Sequence, residues 1–298
     1  MSGKTTPRIV ITGADGQLGA DLVAVLQDVG EVVATTRATL DVSIAKSIAA
    51  AFASMRPDVV VNAAAYTAVD RAETERALAF AVNADGPGLL ADAAKRAGAM
   101  LVHYSTDYVF DGRGSAPYTE SAPVAPLSVY GESKLEGERR VVASGATALV
   151  FRTSWVYALN RANFLTTIRS LATQRDELRI VDDQVGVPNW TRALASATSR
   201  VLRLGRETLE SRAGLYHLSC RGETTWFRFA QAFLRDMPQV RVVPITTAEY
   251  PTPARRPAYG VLDTTKFVRT FGFALPDWRE ALDACLAGAG AQARGTVG

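Results

Sequence analysis

The first half of the chain alternates between two patterns of hydrophobic and polar positions. Short apolar runs rich in β-branched residues predict strands, whereas apolar residues recurring every three to four positions predict helices. The predicted strands cover residues 8–12, 31–35, 58–62, 101–105 and 148–152, and the predicted helices cover 18–27, 44–55, 74–97 and 129–143. Strands that are apolar throughout, such as Val59-Val60-Val61, are typical of parallel sheets buried on both faces. This order of elements predicts an α/β fold with a doubly wound parallel sheet.

A glycine-rich segment joins the first predicted strand to the first predicted helix. Gly13, Gly16 and Gly19 follow one another at intervals of three. In this position the first glycine permits a tight turn, the second lets a diphosphate approach the backbone, and the third allows close packing of the helix. Because a helix N-terminus attracts phosphate, the pattern predicts a Rossmann-type dinucleotide-binding domain over residues 1–152. We expect cofactor contacts from Gly13, Asp15, Gly16, Gln17, Leu18 and Gly19.

The second half of the chain is less regular, because prolines interrupt shorter segments. These are Pro188, Pro238, Pro244, Pro251, Pro253 and Pro257. We expect residues 153–298 to form mainly a smaller substrate-binding region that is interleaved with the first domain. Strands near 190–220 and 255–265 are predicted to return to the first sheet, and the Ala- and Gly-rich residues 287–298 are predicted to be a disordered tail.

The end of the second predicted strand bears on the choice of cofactor. An acidic residue there normally binds the ribose hydroxyls of NAD, but this chain has Thr35-Thr36-Arg37. A guanidinium matches the geometry of a 2′-phosphate, so Arg37 favours NADPH, with NADH as the alternative. The competing interpretation of Arg37 is an ordinary exposed surface arginine.

A tyrosine and a lysine stand four residues apart in the predicted helix 129–143. Tyr130 and Lys134 would lie on one face of that helix. A neighbouring cation favours the ionised phenol, which lets a tyrosine transfer a proton near neutral pH. Chance spacing on a solvated helix face is the alternative. The pair predicts an acid–base centre.

Polar and small residues follow two of the predicted strands. Ser105 and Thr106 come at the end of the strand 101–105, and therefore at the carboxyl edge of the sheet, where ligands bind. Either hydroxyl can donate to a substrate carbonyl oxygen, although satisfying loop backbone groups is a frequent alternative. The small residues Ala63, Ala64 and Ala65 follow the strand 58–62 and would let a cofactor lie close to the sheet, unless they serve helix packing.

Composition and charge exclude several classes of function. The net charge is +3 with scattered basic residues, which argues against a nucleic-acid partner. No apolar stretch approaches the roughly 20 residues that span a bilayer, so we expect no membrane partner and a cytoplasmic location. Cys220 and Cys285 match no metal or redox spacing, and His103 and His217 are best interpreted as structural histidines. We therefore predict no metal.

The glycine segment, the polar strand end and the Tyr-Lys pair, in this order, resemble the extended short-chain dehydrogenase/reductase superfamily. Within it the chain is most similar to the family of dTDP-4-dehydrorhamnose reductases, from Ile9 to about Leu286. The more specific blocks are Ser-Thr-Asp-Tyr-Val-Phe-Asp-Gly at 105–112 and Asp-Asp-Gln-Val-Gly-Val-Pro at 182–188. The blocks at 62–70, 129–138, 152–157 and 255–263 agree with this resemblance.

The resemblance implies a role for each residue of the candidate site. It implies that Thr106 is the hydroxyl partner, that Tyr130 is the acid and that Lys134 modulates it. It also implies cofactor contacts at Arg37, Asp41 and Val42, at Ala63, Ala64 and Ala65, and at Tyr130 and Lys134, with Asp41 near the adenine. We expect substrate contacts at Thr106, Asp107, Tyr108, Trp155 and Arg256, of which the resemblance places Tyr108 and Trp155 beside the sugar. From its chemistry alone Arg256 is suited to a diphosphate, and a solvated arginine is an equally good interpretation.

The implied reaction is the NAD(P)H-dependent reduction of the C4 keto group of dTDP-4-dehydro-L-rhamnose to dTDP-L-rhamnose. Two other functions share parts of this pattern. Nucleotide-sugar epimerases and dehydratases have the same cofactor core, and a regulatory subunit can keep the fold without turnover. The expected partner is a dTDP-sugar, and the expected oligomeric state is a monomer or a homodimer.

Overall fold

The structure of the chain, a computed structural model, describes residues 6–295, and the side-chain surroundings of residues 6–288. The strands are β1 (Arg8–Thr12), β2 (Glu31–Ala34), β3 (Val59–Asn62), β4 (Met100–Thr106), β5 (Ala148–Thr153), β6 (Val156–Tyr157), β7 (Glu177–Val181), β8 (Val185–Gly186), β9 (Asn189–Trp190), β10 (Gly214–His217), β11 (Thr224–Thr225) and β12 (Arg241–Ile245). The α-helices are α1 (Gln17–Leu26), α2 (Ala45–Met55), α3 (Val69–Ala72), α4 (Arg76–Phe80), α5 (Gly86–Ala97), α6 (Val129–Ser144), α7 (Phe164–Ala172), α8 (Thr191–Leu202), α9 (Arg206–Ser211), α10 (Trp226–Phe233), α11 (Thr265–Phe271) and α12 (Trp278–Gly295).

A parallel sheet of order β10-β5-β4-β3-β1-β2 forms the centre of the molecule. Side chains of successive strand residues point to opposite faces, and in β1 both faces are buried. Ile9 and Ile11 pack with Leu22 of α1 on one face, whereas Val10 packs with Ile48 of α2 on the other. Helices therefore cover both sides of the sheet, which confirms the predicted Rossmann-type fold.

The strand order reverses direction between β1 and β3. The chain passes from β1 to β2 on one side and then returns to place β3 on the other side of β1. Such a switch point opens a crevice at the carboxyl ends of the strands, where ligands bind in open α/β sheets. The glycine loop follows β1 and the alanine loop follows β3, so both loops lie at this crevice.

Among residues 153–295, the C-terminal half adds three small sheets beside the large one. They are the parallel pairs β7–β12 and β6–β9 and the antiparallel pair β8–β11. From the predicted range 190–220, β10 joins the large sheet beside β5. The predicted return of residues 255–265 is wrong, since this segment contributes only isolated bridges such as Tyr118 with Leu262. Prolines in and before it lack the N–H groups that a central strand needs.

One prediction about the helices needs correction, and another concerns the end of the chain. The predicted helix 74–97 is interrupted, because a π-helical turn (Ala81–Asp85) separates α4 from α5. The tail predicted over residues 287–298 begins within α12, which runs to Gly295, and residues 296–298 lie outside the described residues. Alanine is the strongest helix former, so an Ala-rich end can extend an existing helix. No helix within residues 6–295 is both long and apolar enough to span a bilayer.

Candidate active site

The glycine loop has the geometry of a phosphate cradle. Gly13 has φ +65°, and a Cβ atom on it would lie 2.8 Å from the backbone of Ala64. A Cβ on Gly19 would lie 2.0 Å from the carbonyl oxygen of Gly13, so this glycine makes room for the loop itself rather than for the sheet. Gly16 precedes α1 and no side chain caps the first turn, which leaves backbone N–H groups facing outward for an anion.

A contact from the C-terminal half holds the glycine loop in place. The side-chain oxygen of Gln17 accepts a hydrogen bond of 2.9 Å from Nδ2 of Asn163. Asn163 is the N-cap of α7 and also donates to the carbonyl of Ala158. Sequence reasoning missed Asn163, because 146 residues separate the partners and no local pattern links them. Asp15, in contrast, is exposed at the tip of the loop.

The segment after β2 carries the residues predicted near the adenosine of the cofactor. Arg37 has 75% of its side chain exposed, and its Nε lies 3.2 Å from Oδ2 of Asp41. A hydrogen bond from the Ser43 hydroxyl is the main reason that the pKa of Asp41 is lowered, and the nearby Arg37 lowers it further. Val42 is buried in the core beside Ala51. Its side chain is therefore a packing group, which leaves its backbone for any cofactor contact.

The alanine loop after β3 is fixed by Asn62. Its side-chain oxygen accepts hydrogen bonds from the Thr12 hydroxyl at 2.6 Å and from the amide of Ala64 at 3.2 Å. Its amide nitrogen lies 3.0 Å from Nδ1 of His103 in β4. Asn62 thus ties three neighbouring strands together below the crevice, and His103 has the structural role expected from the sequence. Burial holds the pKa of His103 well below its usual value.

Tyr130 and Lys134 both lie on α6, as their spacing predicts. The helix begins after Ser128, whose hydroxyl oxygen accepts a hydrogen bond of 3.3 Å from the amide of Gly131. Lys134 has only 2% of its surface exposed, and its Nζ donates a 2.6 Å hydrogen bond to the carbonyl oxygen of Tyr104 in β4. Burial lowers the pKa of Lys134 to about 8, although the charge of Glu138 opposes this change.

The structure distinguishes between the two candidate hydroxyls at the end of β4. Burial raises the pKa of Tyr130 to about 12, and a hydrogen bond with the side chain of Thr106 opposes this rise. Thr106 is therefore near the Tyr130 hydroxyl, although its own hydroxyl donates to Asp107. Ser105 is aligned with Arg152 of β5, and its hydroxyl is buried without a hydrogen-bond partner among residues 6–288. The geometry thus brings Thr106, and not Ser105, to the acid–base centre.

Asp107 is a buried carboxyl group at the same strand end. It is 1% exposed, and its Oδ1 accepts a 3.1 Å hydrogen bond from the Thr106 hydroxyl. Its Oδ2 has no hydrogen-bond partner among residues 6–288 and faces Gly260, where a Cβ atom would lie only 2.5 Å away. Burial raises the pKa of Asp107 to about 7. Sequence reasoning predicted this residue as a substrate contact without indicating its burial.

Tyr108 and Arg256 lie on the side of the site formed by the C-terminal half. The ring of Tyr108 meets that of Tyr130 edge-on, with 5.5 Å between the centroids. Arg256 pairs with both oxygens of Asp70, at 3.0 and 2.8 Å, and also donates to the Thr252 hydroxyl. The positive charge of Arg256 opposes the rise that burial causes in the pKa of Tyr108, so the two side chains are near one another. Most donors of Arg256 are thus engaged within the protein.

Trp155 has an unusual backbone conformation just after β5. Its φ is +41°, which is costly for a bulky residue by about 1–3 kcal/mol and persists only where the surroundings enforce it. Its indole ring stacks on that of Trp226, with centroids 3.6 Å apart and an interplanar angle of 11°. Such strain is characteristic of functional sites, and it supports a specific position for this ring.

A buried asparagine that sequence reasoning missed supports the first turn of α6. Asn83, in the π-helical turn, exchanges two hydrogen bonds with the backbone of Tyr66 and donates to the Ser133 hydroxyl at 3.0 Å. Ser133 in turn donates to the carbonyl oxygen of Tyr130 at 2.8 Å. A polar residue on the buried face of the predicted helix 74–97 was the available signal. Turns of π-helix occur frequently at functional sites.

Together these groups form a candidate acid–base site on the same side of the sheet as the glycine loop. The Thr106 hydroxyl stands at the carboxyl end of β4, and the Tyr130 phenol and the Lys134 ammonium extend from α6, which packs on β4; the glycine loop lies at the adjacent switch point. Across residues 6–288, no group of three or more His, Cys, Asp or Glu side chains is placed to hold a metal ion. The arrangement can donate a proton to an oxygen whose negative charge is growing.

Comparison with known proteins agrees with this geometry. The family model described as the RmlD substrate binding domain matches residues 7–290. A protein of Burkholderia thailandensis named dTDP-4-dehydrorhamnose reductase is 44% identical over 291 residues, covering 94% of this chain and 98% of that protein.

Two solved structures of proteins with that name have the same fold. The one from Clostridium acetobutylicum has a TM-score of 0.88 and 39% identity, covering 94% of this chain and 98% of its own. The one from Bacillus anthracis, in complex with NADP, has a TM-score of 0.90 and 34% identity, covering 95% of this chain and 100% of its own. The chain therefore belongs to the family of the RmlD substrate binding domain, and so to the dTDP-4-dehydrorhamnose reductases.

Proposed function

We propose that this protein uses NADPH to reduce the C4 keto group of dTDP-4-dehydro-L-rhamnose, giving dTDP-L-rhamnose. One observation carries the chemistry: Thr106 lies near the hydroxyl of Tyr130, and Tyr130 stands one helical turn from the buried Lys134 on α6. The substrate follows from the family, whose member at 44% identity is named for this reaction.

The residues at the switch point fit a dinucleotide. The tight turn at Gly13, the absence of a side chain at Gly16 and the uncapped first turn of α1 suit a diphosphate. The exposed guanidinium of Arg37 would hold the 2′-phosphate that distinguishes NADPH from NADH. The relative from Bacillus anthracis was solved with NADP, which supports this choice. When bound, NADPH supplies the hydride.

The side chains of the site then control the proton. With a pKa raised to about 12, Tyr130 carries its proton at neutral pH and is ready to act as an acid. Once its hydrogen bond to Asp107 is released, the Thr106 hydroxyl donates to the carbonyl oxygen of the substrate and holds it beside the phenol. As the C4 oxygen gains negative charge, the Tyr130 proton moves to it. The Lys134 cation stabilises the phenolate that remains.

Residues from both halves of the chain would orient the sugar nucleotide. Tyr108 lies edge-on to Tyr130 and so borders the reacting carbon. Asp107 and Trp155 follow β4 and β5 at the same edge of the sheet. Arg256 would meet the diphosphate once its pair with Asp70 rearranges. Orientation of this kind is a major source of rate enhancement, because the reacting groups no longer have to find one another in solution.

The decisive experiment follows nicotinamide absorbance with purified protein, NADPH and dTDP-4-dehydro-L-rhamnose. We expect oxidation of NADPH by the unchanged protein and a rate lower by about 100- to 10,000-fold in Tyr130→Phe, because the proton donor is gone. Tyr216→Phe is the matched control, since that hydroxyl donates to the carbonyl of Arg212 in the core. Its activity should equal that of the unchanged protein.

The same experiment separates the two rival functions. An epimerase or dehydratase would release bound NAD on denaturation and consume no added NADPH in a single turnover of substrate to product. A regulatory subunit would bind nucleotide and turn over nothing. Either result would contradict the proposed reduction.

A further inference from the structure

Four groups form a column beside the predicted sugar site. Trp226 stacks face to face on Trp155, with 3.6 Å between centroids, and Phe164 packs against Trp226 at 4.5 Å with a tilt of 53°. The fourth group is the backbone of Gly186, where a Cβ atom would lie 2.5 Å from Cε2 of Trp155. The column therefore runs Gly186, Trp155, Trp226, Phe164.

The distances at Gly186 show which part of the indole it approaches. The Cβ position lies 2.5 Å from Cε2, 2.7 Å from Cζ2 and 2.9 Å from Nε1 of Trp155. Cε2 is bonded to the other two atoms, and it is the nearest of the three. An in-plane approach between Cζ2 and Nε1 would make those two atoms nearest, so Gly186 approaches the ring face. The ring of Trp226 lies only 3.6 Å from that of Trp155. If it were on the face that Gly186 approaches, its atoms would be nearer to the Cβ position than those of Trp155, so Trp226 lies on the opposite face.

Both faces of the Trp155 indole are thus covered by the protein itself. A ring with both faces covered cannot stack on a sugar or a base, which excludes the usual role of a tryptophan in sugar binding. What remains is the ring edge, which carries the Nε1–H donor. Trp155 is only half-buried, and among residues 6–288 its Nε1 donates to no protein acceptor. Trp155 lies two residues after Thr153, which is aligned with Thr106 in the sheet.

The partner ring is itself held in place. Nε1 of Trp226 donates a 3.2 Å hydrogen bond to Oε1 of the buried Gln184, whose Nε2 donates to the Thr247 hydroxyl at 3.0 Å. Trp226 also begins α10, after the N-cap Thr225. Gln184, Thr247 and the start of α10 therefore fix the position of Trp226. Because Trp226 stacks on Trp155, it also restricts the position of the Trp155 ring.

We infer that Trp226 and Gly186 are positioning residues, which clamp Trp155 so that its indole N–H edge donates a hydrogen bond to a hydroxyl of the hexose. This inference rests on the proposed function for the identity of the ligand. The clamp explains the strained φ of +41° at Trp155, since the ring is held from both sides. It also explains why a glycine stands at position 186, where any side chain would strike the ring.

The test compares binding of dTDP with binding of dTDP-L-rhamnose by calorimetry, so that the ratio of the two affinities measures the sugar contacts. Trp155→Phe keeps an aromatic ring but removes the N–H, and we expect it to lower the ratio about 5- to 10-fold, the effect of one hydrogen bond. Trp226→Leu and Gly186→Ala should lower the ratio similarly while affinity for dTDP stays the same. Trp226→Phe, which preserves a stacking ring, should keep most of the ratio.

Near-ultraviolet circular dichroism supplies an independent readout on the ligand-free protein. Two stacked indoles couple, so the unchanged protein should show an exciton couplet that Trp155→Phe and Trp226→Leu lose. Gly186→Ala retains both indoles and should alter the couplet without abolishing it. In the double variant Trp155→Phe/Trp226→Leu, the affinity ratio should fall no further than in Trp155→Phe alone, because both changes remove the same contact.

Each remaining outcome decides against one of the two proposals. If Trp155→Phe keeps the full affinity ratio, or if Trp226→Leu weakens dTDP and dTDP-L-rhamnose equally, the clamp is merely structural and the inference is wrong. If the unchanged protein shows the expected ratios but oxidises no NADPH, the proposed reduction fails and the clamp stands.

Discussion

The ammonium group of Lys134 donates a 2.6 Å hydrogen bond to the backbone carbonyl oxygen of Tyr104. This bond anchors the charge between α6 and β4, one helical turn from Tyr130. Burial at this position lowers the pKa of Lys134 from 10.5 to about 8. The ammonium that we propose as the stabiliser of the phenolate is therefore close to losing its proton under mildly alkaline conditions.

The rate of reduction should consequently fall as the pH rises through about 8, the folded pKa of Lys134. The free energy of unfolding should instead rise with pH over a similar range. The unfolded chain holds this proton up to about 10.4, so the unfolded state binds more protons between about 8 and 10.4 and stability rises across that window. Measured together, kcat/KM and the free energy of unfolding distinguish titration of Lys134 from alkaline unfolding.

Lys134→Met is the matched variant for this pH profile. Its residual rate should be low and should show no decline near pH 8, and its free energy of unfolding should not rise across the window. A decline near pH 8 that persists in Lys134→Met would assign the profile to another group.

Asp107→Asn should change how stability depends on pH. Burial raises the pKa of Asp107 from 3.8 to about 7, so the folded state binds more protons than the unfolded state between those values. Protonated Asp107 makes its full contribution to the free energy of unfolding below about pH 4. This contribution, at most about 4 kcal/mol, is lost as the pH rises through about 7. Urea unfolding at pH 5 and pH 8 should show a smaller loss in Asp107→Asn than in the unchanged protein. Equal losses in both proteins would show that Asp107 is ionised at pH 5.

Glu138→Gln should strongly destabilise the fold. Glu138 and Arg152 form a buried ion pair with two hydrogen bonds of 2.8 and 2.6 Å, and their side chains are 7% and 4% exposed. Removing one partner leaves a buried charge unpaired, which costs about 3–5 kcal/mol. Urea unfolding measures the change, with Glu210→Gln as the control because its pair with Arg206 is exposed and worth less than about 1 kcal/mol. Similar effects of the two variants would contradict the burial of the first pair.

Arg37→Ala should shift the preference between cofactors. A charge-assisted contact with the 2′-phosphate is worth about 1.5–3 kcal/mol, so the KM for NADPH should rise about 10- to 100-fold while that for NADH stays the same. Arg241→Ala is a suitable control, because Arg241 lies on β12, outside the large sheet, and its side chain has the same 75% exposure as that of Arg37. An unchanged ratio of the two KM values in Arg37→Ala would remove this residue from the cofactor site.

Short-range patterns in the sequence were sufficient for the fold and for the centre of the site. Continuous apolar strands predicted a parallel sheet, and glycines at intervals of three predicted the loop at its first strand. A spacing of four placed Tyr130 and Lys134 on one face of α6. These features follow from the periodicities of the backbone itself, which depend on neighbouring residues only.

Tertiary structure alone decided which distant groups meet. Asn163 reaches Gln17 across 146 residues, and Arg256 pairs with Asp70 across 186. Spacing left Ser105 and Thr106 equivalent, and only the packing of α6 against β4 brought Thr106 to Tyr130. The stack of Trp155 on Trp226 likewise required α10 to fold against the end of β5. Contacts of this kind depend on how the chain returns to itself, which no local periodicity encodes.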